Sequence, residues 1–419
     1  MEPLLFLCHR IPYPPNKGDK VRSYHLLKHF ASRYRVYLGT FVDDPADWPH
    51  LGKLNELCAD VMALPLNPLG SRIKSVAGFV TGEALTLPYF RARALQRWIN
   101  QTLKRERIRK CFVFSSAMAQ YVTGRAELRR VVDLVDVDSE KWRQYSSESR
   151  WPLSWIYRRE ADRLLAFEES STREFDASLL TTAAEKALFL KHAPQLSERV
   201  HVVPNGVDTD FFSPAPGFER PFPSDEQAIV FTGAMDYWPN ADAACWFASE
   251  VLPVVLRRHE RARFYVVGMN PLPSVRALAR QPAVTVTGRV SDTRPYLQHA
   301  SVVVAPLRIA RGVQNKILEA MAMARPVVAS AACANSLSSI SGRELLVAGG
   351  ASEFSSRVCE ALDTEPASLG NAGRARVLRD YQWGHNLSLV DALLEDTPVL
   401  PQQPASVAPS VARLHSVRS

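Results

Sequence analysis

The stretch from Val302 to Ser330, VVVAPLRIARGVQNKILEAMAMARPVVAS, sets a segment of helical period between two short β-branched runs. Ser301 to Ala305 reads as a buried strand and Pro306 stops it. A turn carrying Arg308 and Arg311 then leads through Gly312 into a helix that Pro326 ends. Strand, basic loop, helix and strand in that order make one unit of a parallel sheet. At about 100° per residue, Gly312, Asn315, Lys316 and Glu319 share one helix face, while Val313, Ile317, Ala320, Met321 and Ala324 share the other. The first face is polar and the second packs.

A helix N-terminus adds a partial positive charge to that of Arg308, Arg311 and Lys316, so a phosphate or diphosphate is the natural occupant of this loop. The spacing puts Glu319 about two turns further in, roughly 10 Å along the axis, where a carboxylate can accept both hydroxyls of a ribose. The ordinary account of such a helix is a surface element with a solvated charge stripe, and only the rest of the chain can decide between the two.

A chain of 419 residues is too long for one core and calls for two domains with a linker or tail. With 46% hydrophobic and 22% charged residues it belongs with globular rather than disordered or fibrous chains. The formal charge of +8 favours anionic partners: phosphorylated substrates, acidic lipid surfaces or nucleic acid. Cys8, Cys58, Cys111, Cys245, Cys333 and Cys359 form no CxxC pair and read as reduced core residues. Glu2 stands where a signal peptide carries positive charge, and no run approaches the roughly 20 apolar residues of a spanning helix. The expectation is a cytoplasmic protein, with any membrane association peripheral, at the inner face.

From its start the chain alternates strand and helix signals. Leu4 to Cys8 is a buried strand, and HRIPYPPNKGDK (His9 to Lys20) is a loop whose Gly18 lets backbone amides approach an anion. Asp19 is placed to cap a helix running from Lys20 or Val21 to Ser32. Strands follow near Arg35 to Phe41, Val61 to Leu64, Lys110 to Phe114, Arg130 to Val135 and Asp176 to Thr182, the rhythm of a doubly wound parallel sheet. The Arg130 strand empties into Asp136 and Asp138, where ligands of such sheets bind; helix capping is the equally ready account. Lys141 to Leu165 mixes Trp142, Trp151 and Trp155 with five arginines, which suits an anionic bilayer surface or a lipid-linked acceptor. The plainer alternative makes the tryptophans core and the arginines solvated.

Val200 to Phe212 ends a strand in the sharp Pro204-Asn205-Gly206 turn, and Pro214, Pro216, Pro221 and Pro223 stiffen the connector after it. A second alternating series then begins, with strands near Ala228 to Thr232, Arg263 to Val267, Val284 to Thr287, Ser301 to Ala305, Pro326 to Ala329 and Glu344 to Val347. Gly233, Gly268 and Gly288 lie at strand tips. The spacing predicts helices over 240–259, 351–362, 369–381 and 383–394. The expected division is an N-terminal domain over 1–203, a linker over 204–226, a C-terminal domain over 227–382, a helix over 383–396 that can return to the first half, and a disordered tail over 397–419. A cleft between two such sheets is the expected binding site.

Several of these motifs resemble the GT-B glycosyltransferases of family 4: the run Val203-Pro204-Asn205-Gly206-Val207-Asp208, the Gly288 turn followed by Asp292, and Leu318-Glu319-Ala320-Met321-Ala322 leading to Pro326-Val327-Val328. More narrowly, PYPPNKGDKVRS (Pro12 to Ser23), VDVDSEKW (Val135 to Trp142) and RIARGVQNKILEAMA (Arg308 to Ala322) are similar to the sugar transferases associated with PEP-CTERM and exosortase exopolysaccharide gene clusters. The resemblance runs to Glu395. It implies an α/β chain of GT-B fold, two Rossmann-like doubly wound sheets facing across a cleft. Its activity would be retaining transfer from a nucleotide-diphosphate sugar held by the C-terminal domain to a glycan or lipid-linked acceptor. By the same resemblance Gly18 lies near the diphosphate and sugar, Lys316 sits in the donor-site helix, Glu319 is the second glutamate of an E-x7-E motif and holds the ribose, and Gly288, Arg289 and Val290 form the turn that meets the nucleobase.

The chain departs from that pattern in three places. Arg311 stands where the motif has its first glutamate. Gly233 is followed by Ala234, Met235 and Asp236, then Pro239 and Asn240, rather than by the usual arginine and lysine. The N-domain histidine is not evident, and Asp136, Asp138 or His9 takes a comparable place. Arg308, Arg311 and Lys316 are therefore expected to replace the missing cations around the leaving phosphate, with Gly233, Gly312 and Asn315 beside the donor. No metal or other cofactor is called for, since no cluster has ligand spacing. Other readings are a catalytically silent donor-binding module of a polysaccharide-synthesis complex and a sugar-nucleotide epimerase. Nucleic-acid binding lacks a basic stripe with exposed aromatics, and a nicotinamide dehydrogenase lacks its GxGxxG.

Overall fold

The computed structural model describes residues 1–15, 18–310, 313–335, 337, 342–364 and 366–395. The expected tail over 397–419 therefore lies outside the described residues, as do Arg311 and Gly312.

Seven strands form the first parallel sheet: β1 (Pro3–Cys8), β2 (Arg35–Val42), β3 (Asp60–Pro65), β4 (Lys110–Phe114), β5 (Arg129–Val135), β6 (Ala177–Leu180) and β7 (Val200–Val202), in the order β3-β2-β1-β4-β5-β6-β7. Six form the second: β8 (Gln227–Thr232), β9 (Ala262–Val267), β10 (Val284–Gly288), β11 (Val302–Ala305), β12 (Val327–Ser330) and β13 (Leu346–Ala348), in the order β10-β9-β8-β11-β12-β13. The expected doubly wound architecture is present in both halves. Helices cover both faces of each sheet, so the central strands carry unbroken apolar runs instead of alternation. Leu4 through Cys8 are wholly buried, as are Ala228 through Phe231.

Both sheets reverse direction at the same topological step, between their first and fourth strands. In one sheet β1 neighbours β4, and in the other β8 neighbours β11. Connections leaving these neighbours run to opposite sides and open a crevice at the carboxyl ends. Each half therefore presents one crevice.

The chain passes between the halves twice, at one place. After β7, Val207 N–H donates to the Tyr381 carbonyl (2.8 Å), and the Asn386 amide donates to the carbonyls of Pro204 and Asn205 (3.4 and 3.3 Å). A Cβ on Gly206 would stand 2.8 Å from the backbone nitrogen of Trp383, so only glycine lets the two segments touch. From there the Trp383–Glu395 helix lies on the first half. Trp383 stacks on His25 (4.8 Å between centroids), Asp391 meets His29 (2.8 Å), and Leu387 and Val390 join the core with Leu26 and Phe30.

The proline-rich connector lies against the second half: Phe212, Phe218 and Phe222 pack on the C-terminal core, and the Arg294 guanidinium lies 3.9 Å over the Phe211 ring. One local expectation changes. The helix expected over 240–259 is three pieces, Trp238–Trp246, a π turn Phe247–Val251 and Leu252–Leu256. Pro253 has no N–H to give the preceding turn, so the hydrogen-bond register widens there.

Because Gly206 has no room for a methyl, Gly206→Ala is expected to destabilise the protein by about 1–3 kcal/mol, seen as a fall of several degrees in Tm by calorimetry. Gly18→Ala, where a Cβ meets nothing within 4 Å, should leave Tm unchanged.

Candidate functional site

In the C-terminal crevice, the backbones after β8 and β9 nearly touch. A Cβ on Gly268 would fall 1.6 Å from the Gly233 carbonyl oxygen, and one on Gly233 would fall 3.1 Å from Lys316 Nζ. Glycine at both positions lets a side chain from a third strand connection come in beneath them. That side chain is Lys316, delivered by the Asn315–Ala322 helix after β11. Its Nζ donates to Asn240 Oδ1 (2.5 Å) and sits 4.6 Å from the centroid of the Phe231 ring. Asn240 is itself fixed, since its Nδ2 donates to the Ala234 carbonyl (2.9 Å). An ammonium has three protons and the amide oxygen takes one. The others remain for a ligand.

Glu319 lies on the same face of that helix, one turn beyond Lys316. Burial pushes the Lys316 ammonium down to about 8, with the Glu319 charge pulling the other way, and burial raises the Glu319 carboxyl to about 7 against the pull of Lys316. Both groups thus change charge close to neutral pH, as expected where a fold desolvates groups for use.

The helix starts later than its sequence spacing predicts. Gln314 stays extended (φ −84°, ψ 102°), so the first turn begins at Asn315 and Glu319 is about 6 Å along the axis from the helix start, not two turns in. Its apolar face is Ile317, Leu318, Ala320 and Met321; Ala324, expected on that face, lies beyond the helix with φ 54°. Arg308 differs from expectation too. It is half exposed (56%) and held by Asp242, Nε to Oδ2 at 3.0 Å, so much of its charge is already matched at the rim.

Gly288 ends β10 with φ 70° and its carbonyl accepts from Gly268 N–H (3.2 Å), which brings the Gly288–Val290 turn beside the other two glycines. Val290 packs on the core, whereas Arg289 is exposed, with Nη2 at 3.3 Å from the Met269 sulfur. Asp292 accepts from Arg294 N–H (2.9 Å) and pairs with its guanidinium (2.7 Å), so the aspartate after the turn holds local structure.

On the N-terminal side, His9 follows β1 and stacks on Phe114 at the end of β4 (5.8 Å, 11° between planes). The first helix runs Gly18–Ala31, and Asp19 is inside its first turn instead of capping it. Asp19 meets Arg10 (2.6 Å) and His9 (3.6 Å); burial alone would raise its carboxyl, but these two partners hold it well below the usual carboxylate range. Gly18 is exposed with open space at its Cβ position.

Asp136 and Asp138 do not stand free at the end of β5. Asp136 Oδ1 accepts from the Thr181 hydroxyl (2.9 Å), and Asp138 opens the Asp138–Glu148 helix beside Glu168, which accepts from the Ser139 hydroxyl (2.6 Å) and which burial raises to about 8. The more consequential acid is Asp133, wholly buried inside the strand. Its Oδ2 accepts from Arg22 Nε (2.6 Å) and its Oδ1 from Val135 N–H (3.1 Å). Val135 has φ 70°, a strained setting for a β-branched residue. Arg22 Nη1 then donates to Asn205 Oδ1 (3.0 Å), and Asn205 Nδ2 reaches Asn315 Oδ1 (3.5 Å) at the start of the Lys316 helix. One polar chain joins β5, the first helix, the crossing turn and the C-terminal crevice.

The structure thus brings Gly233, Gly288, Asn315, Lys316 and Glu319 together and leaves Gly18, Asp136 and Asp138 in the N-terminal half. Sequence reading missed Gly268's contact, Asn240, Arg22, Asp133 and Asn205. A charged residue inside the apolar run VVDLV was the available signal for Asp133. Among the described residues no three His, Cys, Asp or Glu side chains are placed to hold a metal ion.

Residues 226–364 match the family model described as glycosyl transferases group 1. No curated protein matches the chain. Among solved structures, a sucrose-phosphate synthase from Thermosynechococcus elongatus is similar over 94% of this chain and 99% of its own, with TM-score 0.70 and 17% identity. HepE from Anabaena, in complex with UDP and glucose, covers 94% and 100% at TM-score 0.69 and 14% identity. WaaG, a glycosyltransferase involved in lipopolysaccharide biosynthesis, covers 93% and 99% at TM-score 0.65 and 16% identity. At these identities the likeness establishes the fold: two Rossmann-like sheets in the GT-B arrangement.

The Arg22–Asp133 pair is testable on its own. Arg22→Leu or Asp133→Leu strands a buried charge and should each cost about 3–5 kcal/mol in urea unfolding. The double variant should cost clearly less than the sum of the two.

Proposed function

We propose that the chain is a glycosyltransferase that moves a sugar, with retention, from a nucleotide-diphosphate sugar to a glycan or lipid-linked acceptor in exopolysaccharide biosynthesis, working at the inner face of the membrane. The observation that carries this reading is the Lys316 ammonium, fixed by Asn240 beneath Gly233 at the switch point of the C-terminal sheet, with Glu319 one turn away. The group 1 match over the same residues and the UDP and UDP-glucose complexes of HepE support it.

In this reading the donor diphosphate lies against Lys316 and the amides that open its helix, near Asn315. Glu319 accepts the ribose hydroxyls, and the Gly288–Val290 turn, with Arg289, borders the base. Gly18 leaves room for the sugar end of the donor on the facing sheet. As the glycosidic bond breaks, charge collects on the terminal phosphate, and a fixed ammonium stabilises that state more than the bound donor. Arg308, at the rim, adds what charge Asp242 leaves unmatched, and Arg311 and Gly312 are assigned beside it from sequence alone. The acceptor hydroxyl attacks from the face that the leaving group vacates and gives its proton to the departing diphosphate oxygen, which preserves the anomeric configuration. Asp136 and Asp138 border the acceptor side.

Lys316→Met should lower kcat/KM by roughly a hundredfold to a thousandfold against a panel of nucleotide sugars, with Tm nearly unchanged. Anomer-resolved NMR of the product should show retention; an inverted product overturns the reading. Donor affinity should follow a bell-shaped pH profile. Glu319 must lose its proton, so affinity rises through about 7, and Lys316 must keep its own, so affinity falls above about 8. Glu319→Gln should remove the acid limb and Lys316→Arg should move the alkaline limb upward.

A further inference from the structure

Residues 68–81 fold as two short helices, Pro68–Ser75 and Ala77–Thr81, joined through Val76 in helical conformation. Asn67 caps the start, its Oδ1 accepting from Leu69 N–H (3.0 Å) and Gly70 N–H (3.2 Å), and Gly82 ends the segment at φ 77°. Its orientation is the reverse of an ordinary surface helix. The residues turned into the protein are Ser71 and Gly78, while Leu69 (72% exposed), Ile73 (75%), Val76 (58%) and Val80 (90%) face water. Steps of four, three and four residues put these four on one stripe.

The stripe continues onto a second helix. Phe79 stacks face to face on Trp155 (5.9 Å, 6° between planes), and Arg159, from the Trp155 helix, lies 4.8 Å over Phe79 and donates to the Gly78 carbonyl (2.6 Å). Trp151, 82% exposed, and Leu153 extend the apolar surface. Of the tryptophans in this region only Trp142 is packed inward, against Tyr145 and Tyr157. So many large apolar side chains exposed on neighbouring helices of a folded chain mark a partner site. Its surroundings say which kind. Arg72, Lys74, Arg150 and Arg158 are exposed around it, while of the nearby acids Glu83 and Asp162 are paired with Arg91 and Arg143 and Glu148 accepts from the Gln144 amide (2.9 Å).

We infer that this stripe and the Trp151–Trp155 edge are the surface by which the N-terminal half docks on an anionic lipid bilayer, with the apolar side chains in the headgroup boundary and the cations over acidic lipids. An outward apolar stripe flanked by lysine and arginine, with tryptophan at its edge, is the chemistry of an interfacial helix. The inference deepens the lipid-linked acceptor part of the proposed function, but vesicle binding requires neither donor nor transfer, so the two can fail separately.

The test is sedimentation of the full chain with vesicles of phosphatidylglycerol and phosphatidylethanolamine, and with phosphatidylcholine alone. The protein should sediment with the first in a salt-sensitive way, with a blue shift of tryptophan emission, and stay in solution with the second. Ile73→Ser with Val80→Ser, and separately Arg72→Glu with Lys74→Glu, should each reduce partitioning about tenfold or more at unchanged Tm. Wild-type protein that ignores anionic vesicles, or either double variant partitioning like wild type, overturns the inference. So does light scattering that shows a dimer which Ile73→Ser with Val80→Ser converts to monomer, because the surface would then serve a second copy of the chain.

Discussion

An ammonium drawn partly out of water is the constraint around which the C-terminal crevice is built. Lys316 can lie where it does only because Gly233 and Gly268 keep two strand tips free of side chains. The Asn240 oxygen, the Phe231 ring face and the Glu319 carboxyl offset part of its lost hydration. Burying a cation without compensation is costly, and here the compensation is incomplete, which is why burial brings its pKa to about 8. An ammonium so placed is under-solvated, and the same desolvation that costs the fold stability strengthens its interaction with any neighbouring negative charge.

The N-terminal half is tied to this place through a different charge. Arg22 and Asp133 are both nearly inaccessible, and each would be untenable alone. Their pairing supports the strained Val135 on one side and hands a hydrogen bond to Asn205 on the other. Since Asn205 belongs to the crossing turn and touches Asn315 at the head of the Lys316 helix, a change in the angle between the halves must alter this chain of contacts. The last helix clamps the same turn from the other side. Both crossings of the cleft thus meet within a few residues, an arrangement that suits closure by rotation about one place.

The two halves also present themselves differently to the surroundings. Around Gly233 the chemistry is polar, small and enclosed. On residues 68–81 and at Trp151 and Trp155 it is apolar and outward, with only Ser71 and Gly78 turned inward. Such a face gains nothing for folding, because its large side chains are hydrated in the folded chain. The central strands of both sheets, by contrast, bury their apolar side chains on both faces.

Local pattern determined most of the architecture. Alternating β-branched runs and helical periods, with prolines and glycines between them, placed the strands to within a residue or two, because a parallel strand buried on both faces must be continuously apolar. The Lys316 and Glu319 face was legible for the same reason, since residues three and four apart on a helix share a side. What the pattern could not show was every relation that depends on distant backbones meeting: Gly268 against Gly233, Gly206 against Trp383, Asn240 under Lys316, and Arg22 on Asp133 across 111 positions. The start of the Lys316 helix and the engagement of Arg308 by Asp242 were decided in the same way. Periodicity says which way a side chain faces within its own element. Whether that direction leads to water, to a carboxylate or to another backbone is decided only when the sheets close on one another.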